Sequence, residues 1–307
     1  MLSRELFQIL FLSPVFAYAL AVPSSSSKRA VPSQGFYDPR DNGGTWLTTV
    51  ADTSPLGLSE PINAVILGTS DQAVLVDSSE NGGLRNYFNS FDMASECLGQ
   101  HSGNDQGANL GDGNGLLNET AVIRYDYGDA SIGTCKESIE GGNHFRYWVQ
   151  DGEAANSGAV FMAVSYELPS SQGHDIIFNG YNLGRDWLVG NITSQPSILP
   201  TSTFNSTSAT SSLSTSNLTF SGQTTANGYV YLTTVTYVSG LLANGSDGIN
   251  HFLSVGANGT SAVDGLVALM EVKMLETPQR LTSSASITHT PAWMLLSLVV
   301  PVLSLLC

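Results

Sequence analysis

Stretches of regularly spaced apolar residues run through the centre of the chain and predict a fold built mainly of β-strands. Residues 228–240 and 262–275 have period-two patterning with β-branched and aromatic residues, which is typical of half-buried strands. Residues 145–149 and 160–166 are predicted to form an antiparallel hairpin joined by the polar stretch DGEAANSG. Shorter strands are predicted at residues 46–50, 62–68, 120–127 and 176–178.

Two stretches have helical spacing instead. A first helix is predicted after a cap at Ser78 or Ser79. One apolar stripe on this helix is formed by Leu84, Tyr87, Phe88 and Phe91. A second helix is predicted to begin with Asn182 as its cap, with one face formed by Leu183, Trp187 and Leu188. The sequence therefore predicts an α+β fold, a mainly antiparallel β-sheet with two or three short helices.

A segment rich in serine and threonine interrupts this pattern at residues 193–222. Its apolar content is too low for it to fold by itself, so we expect it to be disordered. Residues 41–192 are predicted to form the α+β core, and residues 223–276 to supply strands that complete it. The interrupting segment is then either a linker or an excursion within one domain.

The amino-terminal residues have the composition of a secretory signal. Residues 1–21 contain an apolar run that ends in small residues, and the run is shorter than the roughly 20 residues of a membrane span. Removal as a signal peptide is therefore favoured over a membrane anchor. Residues 22–40 are predicted to form a candidate propeptide and an arm, in which Lys28-Arg29 is either a processing site or an ordinary basic pair.

The carboxyl-terminal residues predict a glycolipid anchor. A small, polar spacer at residues 277–291 precedes an apolar tail without charge at residues 292–307. This order is typical of a signal in which the tail is replaced by lipid, and it is favoured over a tail-anchored helix. The candidate attachment residues are Ser283, Ser284 and Ala285. We expect the protein to be attached to the membrane through this lipid.

The charge of the chain limits its partners. The net charge is −15 with only 11 lysines and arginines, which argues against binding to nucleic acid or directly to anionic lipid. The Asn-X-Ser/Thr pattern of N-glycosylation occurs at Asn118, Asn191, Asn205, Asn217, Asn244 and Asn258. We therefore expect an extracellular glycoprotein at the cell surface or in the cell wall.

Two cysteines remain once the apolar tail is set aside. Cys97 and Cys135 most simply form one disulfide in an oxidising compartment. A loop of about 38 residues would contribute about 4 kcal/mol in the chain-entropy description. A reactive cysteine is the less favoured alternative.

Charged and aromatic residues are concentrated in residues 141–191. Alternation along a strand places His144, Arg146 and Trp148 on one face. Further ligand-binding candidates in this stretch are His174, Asp175, Arg185 and Asp186. Such a set suits structural ion pairs, with Arg146 bound to Asp175 or Asp186. It also suits an anion site or general acid–base catalysis.

Other chemistry receives little support from the sequence. The serine-hydrolase elbow, the zinc-protease helix and the Walker loop do not occur, and no cofactor is expected. Residues 99–115 are rich in Gly, Asn and Asp, and calcium ligands there would be Asp105, Asp112 and Asn114. Because the EF-hand spacing is absent, a plain surface loop without metal is the preferred prediction.

Four short motifs carry a resemblance to known families. They are PINAVILG, GGLRNYF, NHFRYWVQ, and a His-Asp segment before GRDWLVGN, all within residues 61–191. This arrangement resembles secreted, anchored, uncharacterised proteins of fungi and is more distantly similar to the LssY C-terminal domain. The resemblance implies an α+β module without an established activity. The terminal strands and the Asn/Gly-rich loop depart from it.

Together these features favour a cell-surface or cell-wall glycoprotein that acts as a binding or structural module. Its ligand would be a cell-wall glycan or a small molecule. The alternative is a secreted hydrolase of an extracellular or cell-wall substrate that uses His144, His174 and Asp186. A calcium-dependent adhesin using the Asn/Asp-rich loop is a third hypothesis.

Overall fold

Strands dominate the part of the chain that the computed structural model describes, which is residues 31–100, 105–195 and 218–278. Eleven β-strands and four α-helices occur in these residues, which confirms the predicted α+β, mainly β class with more helices than expected. The signal peptide, the lipid-attachment residues, the apolar tail and most of the Ser/Thr-rich segment lie outside the described residues. Within them, no helix has the length and apolar character needed to cross a membrane.

The elements differ in length, and the longest strands carry most of the sheet. The strands are β1 (Thr49–Val50), β2 (Ala64–Ile66), β3 (Met93–Ser95), β4 (Gln106–Asn109), β5 (Leu116–Asn118), β6 (Ala121–Tyr125), β7 (Gly142–Gly152), β8 (Ala155–Glu167), β9 (Thr219–Ala226), β10 (Tyr229–Gly245) and β11 (Val263–Glu276). The helices are α1 (Leu84–Asn89), α2 (Gly133–Glu140), α3 (Gly180–Thr193) and α4 (Phe252–Val255).

Eight strands form the main sheet in the order β3-β6-β7-β8-β2-β11-β10-β9. Every neighbouring pair is antiparallel except β2 and β11, which run parallel. The short β2 is buried at all three positions, so it joins the amino-terminal half of the sheet to the C-terminal strands through a fully apolar contact. Strands from both sides of the Ser/Thr-rich segment therefore belong to one sheet.

One face of the main sheet, the inner face, is covered by α1 and α3. Helix α1 contacts both edge strands, β3 and β9, so the sheet curls around it. The helix has only six residues, too few to be stable alone, and contacts with β10 hold it in place. The Tyr87 hydroxyl lies 2.8 Å from Thr233 Oγ1, and the Asn86 amide donates to the Tyr231 hydroxyl at 2.6 Å.

The opposite, outer face is covered by the second sheet and by the amino-terminal segment. The second sheet has the order β1-β4-β5. The Phe36 ring packs edge to face against two rings, Trp46 and Phe161 of β8. Trp148 of β7 is buried in the same apolar cluster. The Trp148 indole N–H donates to the Leu117 carbonyl at 3.1 Å, which ties β7 to β5.

Several local predictions are wrong in detail. The loop at residues 99–115 contains strand β4, whose Gln106 is buried and bonded to Thr48, so the loop is not simply a surface segment. The hairpin strands β7 and β8 extend through most of DGEAANSG and leave only residues 153–154 between them. Residues 176–178 form an isolated bridge from Ile176 to Glu167 rather than a strand.

The predicted helix caps are also wrong. Helix α1 begins after Gly83 without a side-chain cap, so Ser78 and Ser79 lie before the helix. Helix α3 begins after Asn179, and Asn182 lies inside it, where its amide donates to the Asn179 side chain at 2.6 Å. Tertiary contacts rather than caps fix both starts.

The predicted disulfide between Cys97 and Cys135 is confirmed. It joins the turn after β3 to helix α2 and encloses a sequence separation of 38 residues. Helix α2 has little apolar surface of its own, with Glu137 as one of its three buried residues. The disulfide therefore fixes a helix that carries a buried carboxylate.

Candidate functional site

Polar side chains replace the apolar ones at one end of the outer face. Arg124 of β6 is opposite His144 of β7, and His144 is opposite Ser165 of β8. Their neighbours in the strands, Ile123 and Phe145, belong to the inner apolar core. Because side chains alternate along a strand, the register alone brings the three polar residues together on the other face.

Two glutamates, Glu137 and Glu167, lie beside Arg124 and His144. We call these four residues the polar cluster. Arg124 Nη1 donates to Glu137 Oε2 at 2.8 Å and to Glu167 Oε2 at 3.2 Å. Glu137 comes from α2 and is fully buried, whereas Glu167 ends β8. The guanidinium thus holds two carboxylates beside the imidazole of His144.

His144 is not arranged as the base of a serine triad. Its Nε2 lies 3.2 Å from Ser165 Oγ and 3.4 Å from Glu167 Oε1, so both candidate partners face the same ring nitrogen. Its Nδ1 has no hydrogen-bond partner, whereas a triad requires a carboxylate there. His144 is 4% exposed and Ser165 1% exposed, which keeps both from an external substrate.

His174 approaches the cluster from the turn after β8. Its Nε2 lies 3.1 Å from Glu167 Oε2, within ion-pair distance but without hydrogen-bond alignment. The side chain is 31% exposed, so His174 connects the buried cluster with solvent. The structure thus brings His144 and His174 together through Glu167, a residue that the sequence pattern did not indicate.

Burial and neighbouring charges shift the titration of this group. Burial raises the pKa of Glu137 and of Glu167 to about 7, although Arg124 opposes the shift in both. Burial, together with the charge of Arg124, places the pKa of His144 well below its usual range. The pKa of His174 is also lowered, mainly by burial. Both imidazoles are therefore neutral near pH 7, and both glutamates titrate in that range.

Arg146 has a different partner from the one expected. Its guanidinium contacts Glu119 Oε1, not Asp175 or Asp186, so that part of the prediction is wrong. Glu119 also accepts the Gln106 backbone N–H. The ion pair is buried between β7 and the second sheet, where the register of the strands rather than the local sequence brings the two residues together.

Arg185 and Asp186 lie on the inner face, away from the polar cluster. Arg185 is fully buried, binds Asp264 through both terminal nitrogens at 2.8 Å and stacks on the Tyr237 ring. Asp186 Oδ1 accepts the Tyr237 hydroxyl at 2.9 Å. Strand β11, which carries Asp264, is three strand spacings or about 14 Å along the sheet from β7. The structure therefore does not bring these two residues to His144.

Asp175 pairs with a histidine outside the predicted set. Its Oδ1 contacts His251 Nδ1, and Glu60 Oε1 lies 3.9 Å from His251 Nε2. The hydrogen bond to His251 lowers the pKa of Asp175. Although burial opposes it, the same bond and the charge of Glu60 raise the pKa of His251. The pair is thus ionised on both sides in mildly acidic solution.

This pair forms one wall of an open cleft of about 520 Å³. The cleft lies between the segment at residues 50–58 and the segment at residues 250–254. Its lining also includes Asp52, Thr53, Asn250 and Phe252. Oxygen and nitrogen groups beside one aromatic ring are suited to a polar ligand.

The other candidate groups have simpler surroundings. Asp112 is buried and accepts the backbone N–H groups of Asn114 and Gly152, whereas Asp105 accepts from the Asn118 amide. These contacts serve the turn. Among the sequons, Asn118, Asn244 and Asn258 are exposed, Asn191 is half-buried inside α3, and Asn205 and Asn217 lie outside the described residues.

No protein-family model, curated protein or solved structure matches this chain. The resemblance to anchored fungal proteins and to the LssY C-terminal domain therefore stays a prediction.

Proposed function

We propose that this protein is a glycolipid-anchored glycoprotein of the cell surface or cell wall, and that it acts as a binding module. The observation that carries the proposal is the open cleft of about 520 Å³ beside Asp175 and His251, because Asp175 is a predicted ligand-binding residue that faces a cavity of ligand size. The disulfide and the exposed sequons suit an oxidising, extracellular setting.

The chemistry of the cleft favours an uncharged polar ligand such as a cell-wall glycan. Asp52, Asp175 and Asn250 offer acceptors and donors for hydroxyl groups, and Phe252 offers an apolar surface for a sugar ring. The acidic net charge of −15 disfavours anionic ligands. A neutral oligosaccharide meets both conditions.

Binding of soluble oligosaccharides of glucose, mannose and N-acetylglucosamine tests this proposal. Titrations followed by ligand-observed NMR are expected to detect one of these classes with the native chain. Asp175→Asn and Asn250→Ala should weaken that binding about tenfold or more, because the first removes the carboxylate charge paired with His251 on the cleft wall and the second removes an amide of the lining. Glu153→Gln, at an exposed turn away from the cleft, is the matched control. Equal binding by all three variants, or no binding of any class, would overturn the proposal.

A hydrolase of an extracellular or cell-wall substrate is the second candidate. It is favoured by Glu137 and Glu167, because a carboxyl group with a pKa of about 7 is a suitable general acid. Their burial and the position of Asp186 on the inner face count against the predicted residue set. Hydrolysis of the same oligosaccharides that is lost in Glu167→Gln, with an unchanged melting temperature, would favour this candidate.

A further inference from the structure

The polar cluster contains more unsatisfied groups than any other part of the described chain. Seven buried side-chain nitrogen or oxygen atoms in the described residues have no hydrogen-bond partner. Four of them belong to this region: the atoms Glu137 Oε1, His144 Nδ1 and His174 Nε2, which can accept a hydrogen bond or bind a cation, and Arg124 Nε, a donor that lies 3.7 Å from Glu96 Oε1. Buried polar atoms are nearly always partnered, so such a concentration indicates a bound water or ion.

The groups concerned are metal ligands by type. One ligand atom each from Glu137, His144 and Glu167 lies within 4.8 Å of the other two. Carboxylate oxygen and imidazole nitrogen bind Zn²⁺ at about 2.0–2.2 Å, so ligand atoms around a tetrahedral ion are about 3.3–3.6 Å apart. The 3.4 Å from Glu167 Oε1 to His144 Nε2 fits this edge, and His174 Nε2 lies 3.1 Å from Oε2, the other oxygen of the same carboxylate.

Arg124 contacts only one oxygen of each carboxylate. It contacts the Oε2 atoms of Glu137 and Glu167, whereas Glu137 Oε1 has no partner and Glu167 Oε1 faces His144. The Arg124 guanidinium faces three carboxylates, because Glu96 Oε1 lies 3.7 Å from its Nε in addition to Glu137 and Glu167 at its Nη1. When the carboxylates are ionised they outnumber this cation, and a bound metal ion would balance the excess negative charge. Hydrogen-bonded carboxylates are common around metal ions, where such partners orient the ligands.

We propose that Glu137, His144 and Glu167, with His174 as the fourth ligand, bind one divalent first-row transition metal ion, with zinc preferred. His174 is 31% exposed and provides the route by which the ion enters from solvent. Neutral imidazoles and carboxylates are the ligand set of zinc and its neighbours in the first row. Helix α2, β7, β8 and the turn after β8 each supply one ligand, so the site has no local sequence motif.

Cobalt binding to the metal-free glycosylated chain tests this proposal, because Co²⁺ reports its geometry by visible absorption. After removal of metal with a chelator, the native chain should bind one equivalent of Co²⁺ with the intense bands of a four-coordinate site, and Zn²⁺ should displace it. Glu137→Gln should weaken Zn²⁺ binding about 100-fold, and His174→Ala at least about tenfold, by comparison with the 10–100-fold effects of partners outside the ligand shell. Glu140→Gln, at an exposed carboxylate on the same helix as Glu137, should bind as the native chain does.

His174→Ala keeps the test decisive if Glu137→Gln does not fold, because His174 lies on a partly exposed turn. Zn²⁺ should also raise the melting temperature of the native chain and of Glu140→Gln, and should raise that of His174→Ala less at the same concentration, because the shift follows the affinity. Absence of the cobalt bands would overturn the proposal. The same affinity in the native chain, Glu137→Gln and His174→Ala would overturn it as well. Oligosaccharide binding at the cleft is measured separately and does not depend on this result.

Discussion

Individual buried charges decide much of the stability of this molecule, and Arg146 is the clearest example. Its side chain and that of Glu119 are 9% and 3% exposed, and each is the other's ionic partner. Removal of one partner from a buried pair leaves an uncompensated charge, which costs about 3 to 5 kcal/mol. We expect Arg146→Met to lower the free energy of unfolding by about that amount in urea denaturation.

The double variant Arg146→Met/Glu119→Gln supplies the control for this prediction. It removes both charges and should recover a large part of the loss, because neither group is left buried and unpaired. A single variant as stable as the native chain would show that the pair contributes nothing.

The pair formed by His251 and Asp175 should make stability depend on pH. The pKa of His251 is raised above its usual 6.5 and that of Asp175 lowered below its usual 3.8. The histidine contribution is therefore complete below pH 6.5 and is lost as the pH rises through the raised pKa. The aspartate contribution is present above pH 3.8 and is lost as the pH falls through the lowered pKa.

Thermal unfolding of the native chain and of His251→Gln between pH 3 and pH 9 measures this dependence. The difference in melting temperature should be largest between about pH 4 and pH 6.5 and should shrink towards pH 9. A difference that grows with rising pH would contradict the assignment of the charged pair.

At the scale of elements, helix α2 depends on the disulfide more than on its own sequence. The helix buries only three residues, and the Cys97–Cys135 bond joins it to the turn after β3. We expect Cys97→Ser/Cys135→Ser to lower the free energy of unfolding by about 4 kcal/mol in the chain-entropy description. Chemical denaturation of the native chain and of this double variant measures the loss. A loss below about 1 kcal/mol would contradict this role.

Long strands were predictable from the sequence, and short elements were not. Strands β10 and β11 contain residues 228–240 and 262–275 almost entirely, because their alternating apolar pattern is sufficient to fix a half-buried strand. Strand β4 was missed because its Gly and Asn residues are poor strand formers, and pairing with β1 and β5 overrides that preference. Helix α2 was missed because its sequence has no apolar stripe, and contacts with distant parts of the chain hold it in place instead.

Only those residues of the candidate site that lie on the same strand could be predicted to be neighbours. Alternation indicated that His144 and Arg146 share a face. Their partners Glu167 and Glu119 lie 23 and 27 residues away in the chain, and only the register of β6, β7 and β8 brings such residues together. Sequence spacing contains no information about that register. Arg124 in the otherwise apolar strand β6 was a local sign of a buried charge, as Arg146 was in β7.

At the scale of the whole molecule, the exposed sequons predict where glycans are attached. Asn244 and Asn258 are exposed, whereas Asn191 lies in α3 with the adjacent Ile192 and Thr193 buried. We expect glycopeptide mass spectrometry of the secreted chain to find high occupancy at Asn244 and Asn258 and low occupancy at Asn191, because attached glycans must face solvent. The same digest should contain no peptide from residues 292–307. Full occupancy at Asn191 would contradict the first expectation, and recovery of the apolar tail the second.

The described residues that precede and follow positions 196–217 are in contact with each other, through Thr193 and Gln195 on one side and Ser221 and Gly222 on the other. The Gln195 amide lies 3.5 Å from the Ser221 carbonyl, and Gly222 is packed so tightly against Thr193 that a methyl group there would overlap its carbonyl oxygen. Chain closure over such a gap depends only weakly on the number of residues that cross it. After a break in the backbone between residues 196 and 217, the two fragments would therefore stay associated through the pairing of β2 with β11. The same position could serve as the start and finish of a permuted chain, or accept an inserted domain.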